Sequence, residues 1–560
     1  MNAHGAAVKM PRLALRRILL QRLFRLQLQT TSRPFTSNIT SRGRPQLPFL
    51  SIPVTTRQRV RYFTTEKKRW LGYEGRLFLR YNISIWGGVA CIAAILFLVN
   101  QEALEKDFPT PHEWSILTRM AVRGAKNAAN NEHAQNVDWV EVIVTCRQAL
   151  ARLEDPKIDG AGIKELLDEP LTIEGVGAAG KDISAKSENW RRGYYEVLML
   201  MAQASEQLDG YVKDTTRNII FPPEVVIGPS NPRPKPIPPG AERAPKEEDC
   251  VIAYEPADNQ YLRVLTTKGF TARQKMDATL RYASFLDFKN LSDAAMRMYD
   301  WALSLATETA PSSPPLIDPL TYTINDKATL TSENVLTVLT SIALHKVRRG
   351  DVAAALPIFI SLLRARRTLP QAPLPGQERP FDTPVTLWQR VAKLAQPPQY
   401  PAPPDDGTRP PWRHPKELCE EAGLNLYIGE ILYAIKDSKA NCEEGLAWTR
   451  DAVDLAEEQL HKLGPVGGDN EARKKCRECL GTGLENWSAM VAKLAKEEEA
   501  RNKAGPKKST FNFWSGSEAT VDGSRWAAEE NVVQERIRRT RDLLVAVEAP
   551  AAGLVSLLQV

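Results

Sequence analysis

The longest apolar run in the chain covers residues 83–99, and the residues on its two sides differ in charge. The run reads ISIWGGVACIAAILFLV and contains no charged side chain. With the two residues before it, the run is just long enough to cross a hydrocarbon core of about 30 Å, which requires roughly 20 residues. Basic residues precede it and acidic residues follow it, so the positive-inside rule predicts that the C-terminal side is translocated. The pattern predicts one transmembrane helix at 82–100, with a buried core helix as the alternative.

The predicted span combines an aromatic residue suited to the membrane interface with small residues that would allow close approach of a partner helix. No second apolar run of comparable length follows, which excludes a multi-helix carrier or permease. The residues assigned to the span are Ile83, Trp86, Gly88, Ala90, Ala94 and Val99.

After residue 100, apolar positions recur at helical spacing and are interrupted by proline-rich stretches. Residues 138–153 and 188–212 have the period of amphipathic helices. Residues 221–245 and 369–415 are dense in proline and predict extended loops. No segment sustains the alternation of a β-strand. We therefore predict an all-α body.

Three helix pairs carry residues at the spacing of the tetratricopeptide repeat, in which small residues lie where two helices cross and an aromatic residue fills the gap between them. The pairs cover residues 273–306, residues 336–367 and, more loosely, two helices joined by a turn at 436–443. The pattern is carried by Ala283, Leu286, Ala295, Tyr299 and Ala302 in the first pair, Ala343, Ala355 and Phe359 in the second, and Gly429, Gly445 and Ala452 in the third.

Such helix pairs cannot bury their apolar faces alone, so neighbouring pairs stack into a solenoid with a concave surface. We therefore predict a tetratricopeptide-like helical repeat solenoid. The alternative is a generic helical bundle, because alanine and aromatic residues at helical spacing are common in helical cores. Proline-rich insertions separate the pairs and predict an irregular array.

Charge changes the interpretation of the N-terminus. The net charge of +7 is unevenly distributed, because residues 1–65 contain twelve basic residues and no Asp or Glu. An acid-free segment rich in Arg and Ser is typical of a mitochondrial transit peptide, with a disordered basic tail as the alternative. Together with the span, it predicts an inner-membrane protein whose N-terminus lies in the matrix and whose large domain lies in the intermembrane space. The remainder of the chain is acidic, so the basic excess does not predict nucleic-acid binding.

No residue pattern predicts catalysis. The chain has no Walker loop, HExxH or GxSxG sequence, and its six histidines do not cluster. Cys476 and Cys479 form a CxxC pair, but Cys419, Cys442 and His461 stand at no spacing that completes a metal site. We interpret the pair as two buried thiols, with a disulfide involving Cys419, Cys442 or the pair as the alternative. The sequence predicts no enzyme, cofactor, metal site or small-molecule substrate.

These patterns divide the chain into ten segments that follow its changes in composition. They are a transit peptide at 1–65, a basic matrix-side segment at 66–81, the transmembrane helix at 82–100, an N-terminal helical region at 101–220, a proline-rich loop at 221–260, tetratricopeptide-like repeats at 261–367, a second proline-rich loop at 368–416, C-terminal helical repeats at 417–500, a flexible loop at 501–525 and a C-terminal helix at 526–560.

Several segments resemble a fungal family of mitochondrial membrane proteins. They are KKRWLGYEGRLFLRY before the span, LEKDFPTPHEWSILTRM after it, and GLNLYIGEILYAI and EGLAWTRDAVDLAEEQL further along. With its transit peptide, single span and repeats, the chain is similar to the adaptor subunits of the inner-membrane i-AAA protease. The resemblance implies a non-enzymatic adaptor in protein quality control that binds unfolded or membrane-bound clients and presents them to AAA protease subunits.

Two other functions fit the same architecture. One is an assembly factor or scaffold for a respiratory-chain complex, which would use the same topology and repeats. The other is an outer-membrane import receptor with cytosolic repeats. The acid-free N-terminal segment argues against the receptor, because such receptors usually keep their N-terminal anchor.

Overall fold

The structure is a computed structural model that describes residues 65–130, 137–165, 180–237, 242–308, 316–325, 331–371, 400–435, 439–464, 469–504 and 525–544. The predicted transit peptide apart from Thr65, most of the predicted loop 501–525 and the end of the predicted C-terminal helix lie outside them.

The predicted membrane span lies within the first helix, α1 (Thr65–Asp107). Within the described chain, α1 is the one helix that is long and apolar enough to cross a membrane, judged by length and composition. None of its most apolar stretch is buried in the protein, unlike the core helix considered as the alternative. α1 continues through the predicted boundaries at 81 and 100 without a break. The structure exposes all the residues assigned to the span: Ile83, Trp86, Gly88, Ala90, Ala94 and Val99.

Most of the remaining described chain is helical, and from α2 onward each helix packs against the next one in sequence. An additional contact joins α10 to α12. The helices are α2 (Ile116–Ala129), α3 (Trp139–Glu154), α4 (Glu188–Gln207), α5 (Ala257–Thr266), α6 (Ala272–Phe288), α7 (Ser292–Thr307), α8 (Glu333–Arg348), α9 (Val352–Arg367), α10 (Pro415–Ala434), α11 (Lys439–Leu463), α12 (Asn470–Ala504) and α13 (Arg525–Leu544).

Local sequence sets where several of these helices begin. Thr271 and Gln274 form a reciprocal capping box at the start of α6, which satisfies amide groups that the first turn leaves without partners. Ser332 caps α8 and Asp351 caps α9 in a similar way. Gly350 takes a φ of 88° in the turn between α8 and α9, where residues with a Cβ are strained.

The all-α prediction holds only in the coarser sense that the described chain is mostly helical. Short antiparallel strands β1 (Lys164–Glu165) and β2 (Lys181–Asp182) pair with each other. A second sheet places β3 (Val212–Asp214) between β4 (Ile219–Phe221) and β5 (Cys250–Ile252). Strands of two or three residues are too short to produce a visible alternation.

The segment boundaries also differ from the sequence prediction. The predicted loop 221–260 contains β5 and the first turn of α5, and α4 ends before the predicted limit of its helix at 212. Helix α12 continues beyond the predicted limit of the C-terminal repeats at 500, and α10 begins inside the predicted loop 368–416. Boundaries depend on capping and on tertiary contacts, which hydrophobic period does not encode.

The described helices bury two hydrophobic clusters that meet at α10. The first draws its residues from α2 to α10, and the second from α10 to α13. Leu424 and Ile428 face the first cluster, whereas Ala422 and Leu426 belong to the second. Because α10 is buried on two sides, it couples the two halves of the helical domain.

Candidate functional site

The first predicted repeat pair corresponds to α6 and α7, which bury the residues at their contact. Ala295 of α7 has no exposed surface. The Tyr299 hydroxyl donates a hydrogen bond to Asp287 Oδ2 at 3.1 Å, which joins α7 to α6. The pair buries all five residues named from the sequence: Ala283, Leu286, Ala295, Tyr299 and Ala302.

The second pair, α8 and α9, connects to its neighbours on both sides. His345 Nδ1 of α8 lies 2.7 Å from Asp287 Oδ1 of α6. The Phe359 ring of α9 stacks on Tyr427 of α10, with the ring centroids 5.3 Å apart. The residues named from the sequence are fully buried in this region: Ala343, Ala355 and Phe359.

In the third pair, the backbones of α10 and α11 approach each other directly. A Cβ built on Gly429 would lie 2.8 Å from the Gly445 carbonyl oxygen, and a Cβ on Gly445 would lie 2.6 Å from the Gly429 carbonyl oxygen. Ala452 is buried further along α11. The residues named from all three pairs therefore hold helices together, and the surfaces available to a ligand lie elsewhere.

Alternate helices line two cavities on the surface of the helical domain. Residues of α4 and α6 line the first, which has a volume of about 440 Å³. Residues of α8, α10 and α12 line the second, which has a volume of about 460 Å³. Arg273 of α6 lines both cavities, so they are neighbours. We call the surface formed by the two cavities the groove.

A segment of the same chain forms one wall of the first cavity with residues 400–406, and we call residues 400–413 the strap. The Arg192 guanidinium lies over the Tyr400 ring, 4.1 Å from its centroid, and Arg192 Nε donates to the Tyr400 hydroxyl at 3.2 Å. The Tyr400 hydroxyl donates to Glu196 at 3.3 Å. Arg192 also donates to the carbonyl oxygen of Pro401. Both partners of this end of the strap lie on α4.

The first turn of α8 holds the strap at a second point. Asn334 Nδ2 donates to the Asp406 carbonyl oxygen at 2.9 Å, and the Asn334 backbone N–H donates to the Gly407 carbonyl oxygen at 3.1 Å. Arg273 donates to Asn334 Oδ1 at 2.6 Å and so orients the amide. These contacts are made to backbone carbonyl groups, which every polypeptide carries.

The second cavity is rich in carboxylates that are largely paired within the protein. Arg366 of α9 pairs with Glu417 of α10, and Lys475 of α12 pairs with Glu420 of α10 at 3.2 Å. Burial raises the pKa of Glu417, although Arg366 acts in the opposite direction. Burial likewise raises the pKa of Glu430, which lines the same cavity. The lining of the second cavity is therefore polar, but basic side chains of the same protein largely neutralise the charge of its carboxylates.

The structure corrects the interpretation of the CxxC pair as two buried thiols. Cys476 of α12 forms a disulfide with Cys419 of α10, and the two cysteines are 57 positions apart in the sequence. Cys479 remains a thiol that donates to the Cys419 carbonyl oxygen at 3.2 Å, and burial raises its pKa to about 11. Cys442 is also a free thiol. The alternative of a disulfide involving Cys419 was therefore the correct one.

The groove makes its observed contacts in the first cavity with the strap, which is part of the same chain. In the described ranges, no group of three His, Cys, Asp or Glu side chains is placed to hold a metal ion. The Arg192 guanidinium in the first cavity contacts the Tyr400 ring, and the buried Asn334, which lines neither cavity, donates to backbone carbonyl groups of the strap. No protein family, curated protein or solved structure matches the chain.

Sequence reasoning assigned the packing residues but missed the groove and the strap. Tyr400 and Arg192 are separated by 208 positions, so no local pattern could join them. The clustering of proline at 401–404 was treated only as a sign of a loop. The same prolines also mark an extended segment suited to lie in a groove, and this was the available signal.

Proposed function

We propose that this protein is a membrane-anchored, non-enzymatic adaptor that binds segments of other proteins in its groove. The observation that carries the proposal is the strap, because the helical domain already holds a polypeptide segment at the edge of the groove through its backbone carbonyls. Two of these contacts come from Asn334, and one comes from Arg192. Binding through backbone groups tolerates many sequences, which suits a protein with varied clients.

The helical arrangement supports this proposal through the order of its contacts. Helices that pack on their neighbours in sequence, with small residues at the crossings, fit a tetratricopeptide-like solenoid. In such an array the alternate helices line one continuous surface. Residues of α4, α6, α8, α10 and α12 line the groove in this way, and Arg366 of α9 lines it as well. We therefore retain the solenoid as the proposed architecture.

The proposed location is the mitochondrial inner membrane, with α1 as the single span and the helical domain in the intermembrane space. It rests on the acid-free segment 1–65, on the charge difference across residues 83–99 and on the exposure of α1. Protease added to mitoplasts should digest the chain beyond Asp107, whereas intact mitochondria should protect it. Digestion in intact mitochondria would instead place the protein in the outer membrane, and protection in mitoplasts would place the domain in the matrix.

The proposed partners are AAA protease subunits and unfolded or membrane-bound clients, as the family resemblance implies. A membrane anchor raises the local concentration of other proteins in the same membrane, which favours handover of a client to a membrane-bound machine. No nucleic acid or small-molecule substrate is part of the proposal.

Site-specific crosslinking tests the adaptor proposal directly. A photo-reactive residue in place of Glu478, which is exposed in the second cavity, should crosslink to client proteins. The same protein should co-purify with AAA protease subunits in mild detergent. The matched control is Lys462, which is exposed on α11 outside both cavities. Equal crosslinking at the two positions would refute groove binding. Recovery of respiratory-chain subunits in place of the protease would favour the assembly-factor alternative.

A further inference from the structure

We propose that the strap is an intramolecular ligand of the first cavity, and that this cavity takes an extended aromatic–proline segment of a partner protein, which displaces the strap. This inference rests on the proposed function, because it names the partner class and the regulation of the same groove. The segment of this chain that shows the required chemistry is Tyr-Pro-Ala-Pro-Pro, at 400–404.

The aromatic position is recognised from two directions. The Arg192 guanidinium covers one face of the Tyr400 ring at 4.1 Å from the centroid, a distance at which cation–π attraction is significant. The ring hydroxyl accepts from Arg192 and donates to Glu196. Arg192 also donates a hydrogen bond to the carbonyl oxygen of the next residue, Pro401. A tyrosine followed by another residue with a free carbonyl oxygen therefore engages Arg192 Nε and Nη2 and Glu196, and it leaves Arg192 Nη1 without a hydrogen-bond partner.

The middle of the strap makes much looser contact with the protein. Residues 402–405 are exposed, and the first cavity of about 440 Å³ lies between this stretch and the helices. Phe108, Pro109 and Tyr195 contribute apolar surface to the cavity. A partner segment that followed the same path with a larger apolar side chain at the Ala402 position would bury more apolar surface than the strap does.

The far end of the strap depends on a glycine. Gly407 takes a φ of 64°, and a Cβ at this position would lie 2.2 Å from Asn334 Oδ1 and 2.0 Å from Arg273 Nη1. Any other residue would clash with the side chains that hold the strap. The strap can therefore be loosened independently at two points, Tyr400 and Gly407.

Proline-rich segments suit such a site because they are extended before they bind and lose less conformational entropy. The strap has the advantage of being tethered, which gives it an effective concentration in the millimolar range. A segment of a partner protein gains access to the cavity when the strap is released. It also gains access when the side chains of the partner fill the cavity better than those of the strap do. The groove would then respond to partner sequence at the first cavity while it contacts backbone elsewhere.

The test uses the full-length chain in detergent micelles and a fluorescent peptide with the strap sequence YPAPPDDGTRPPWR. Fluorescence anisotropy measures its apparent Kd for the wild type and for Tyr400→Ala, Gly407→Ala and Arg192→Ala. Gly124→Ala serves as the control, because a Cβ there meets nothing within 4 Å. Circular dichroism melting verifies that each variant is folded.

Tyr400→Ala and Gly407→Ala release the strap at different ends, so each should tighten peptide binding at least about ten-fold relative to the wild type. Arg192→Ala also releases the strap but removes the contact that the peptide needs, so it should not tighten binding. A peptide carrying leucine at the Ala402 position should bind the released variants about ten-fold more tightly than the strap sequence.

Equal affinity for the wild type and both released variants would overturn the inference, as would tight binding to Arg192→Ala. Absence of peptide binding to every folded variant would also overturn it. That result would leave the proposed function standing if clients still crosslinked at Glu478, because that position lies in the second cavity. Loss of both signals would refute the proposed function as well.

Discussion

Replacing Gly429 by alanine is expected to destabilise the helical domain, although alanine is the better helix former. In an exposed helix interior this change stabilises by about 0.8–1 kcal/mol. At Gly429 the new Cβ would lie 2.8 Å from the Gly445 carbonyl oxygen and 2.8 Å from Thr449 Oγ1. Gly445 contributes a backbone atom and Thr449 is fully buried, so neither can move without separating α10 from α11.

Overpacking of a tight core costs about 1–3 kcal/mol. At this crossing the contact involves backbone, so the cost should exceed the gain in helix propensity. We expect Gly429→Ala to lower the free energy of unfolding by about 1–2 kcal/mol overall. Gly423 provides a matched control on the same helix, because its Cβ would lie at an ordinary 3.6 Å from Cys479 Sγ. Gly423→Ala should leave stability unchanged or raise it by up to about 1 kcal/mol.

Thermal melting of the two variants by circular dichroism should therefore show shifts of opposite sign or a shift in Gly429→Ala alone. Long helical arrays do not always unfold in two states. Hydrogen exchange of α10 and α11 should accompany the melts, and protection should fall there first in Gly429→Ala. If Gly429→Ala were as stable as Gly423→Ala, the close backbone crossing of α10 and α11 would be wrong.

Three further changes should affect separate parts of the domain. Glu105→Ala should lower the free energy of unfolding by about 3–5 kcal/mol, because it leaves the Arg123 guanidinium buried without its carboxylate. Denaturant unfolding measures this loss, and a value below about 1 kcal/mol would contradict the ion pair. Cys476→Ser removes the disulfide and should lower the free energy of unfolding by about 2–4 kcal/mol. Cys479→Ser should keep the disulfide, as non-reducing electrophoresis would show, and it should melt at a higher temperature than Cys476→Ser. Side-chain and backbone hydrogen bonds from the following turn lower the pKa of Asp214 from 3.8 to about 2. The stability that this carboxylate contributes should be complete above pH 3.8 and lost as the pH falls through about 2, and a carboxyl NMR titration with an ordinary pKa would refute it.

The sequence could predict the packing residues because their signal is local. Ala295 and Tyr299 lie one helical turn apart, and so their shared face follows from the period of a helix alone. The structure buries both. The same reasoning placed Gly429 and Gly445 near a helix crossing, since glycines on facing helices permit close backbone approach.

The groove could not be predicted in the same way, because its parts come from distant positions in the chain. Arg192 meets Tyr400 only after several intervening helices have packed. The disulfide shows a related limit. The CxxC spacing led us to interpret Cys476 and Cys479 as two buried thiols, whereas Cys476 pairs with Cys419, which α10 brings close. Local spacing identifies which residues share a face but not what that face meets.

The sequence analysis did not predict the short strands, for a different reason. Each strand of the sheet around β3 has three residues, and its stability depends on pairing with β4 and β5. Cys250 belongs to a strand that follows a proline-rich stretch, so its neighbours in sequence indicate a loop. A strand of this length is specified by its partners more than by its own residues.

The disulfide and the charges around α1 are unrelated features that bear on the same question, which side of the membrane the helical domain faces. Charge asymmetry acts during insertion and favours translocation of the chain beyond residue 99. The Cys419–Cys476 bond acts after folding and persists only where thiols are not kept reduced. A contribution of about 2–4 kcal/mol is a large part of the roughly 5–15 kcal/mol that stabilises a typical domain. A domain delivered to a reducing compartment would lose that contribution, so the disulfide supports the proposed location of the domain independently of the charge asymmetry.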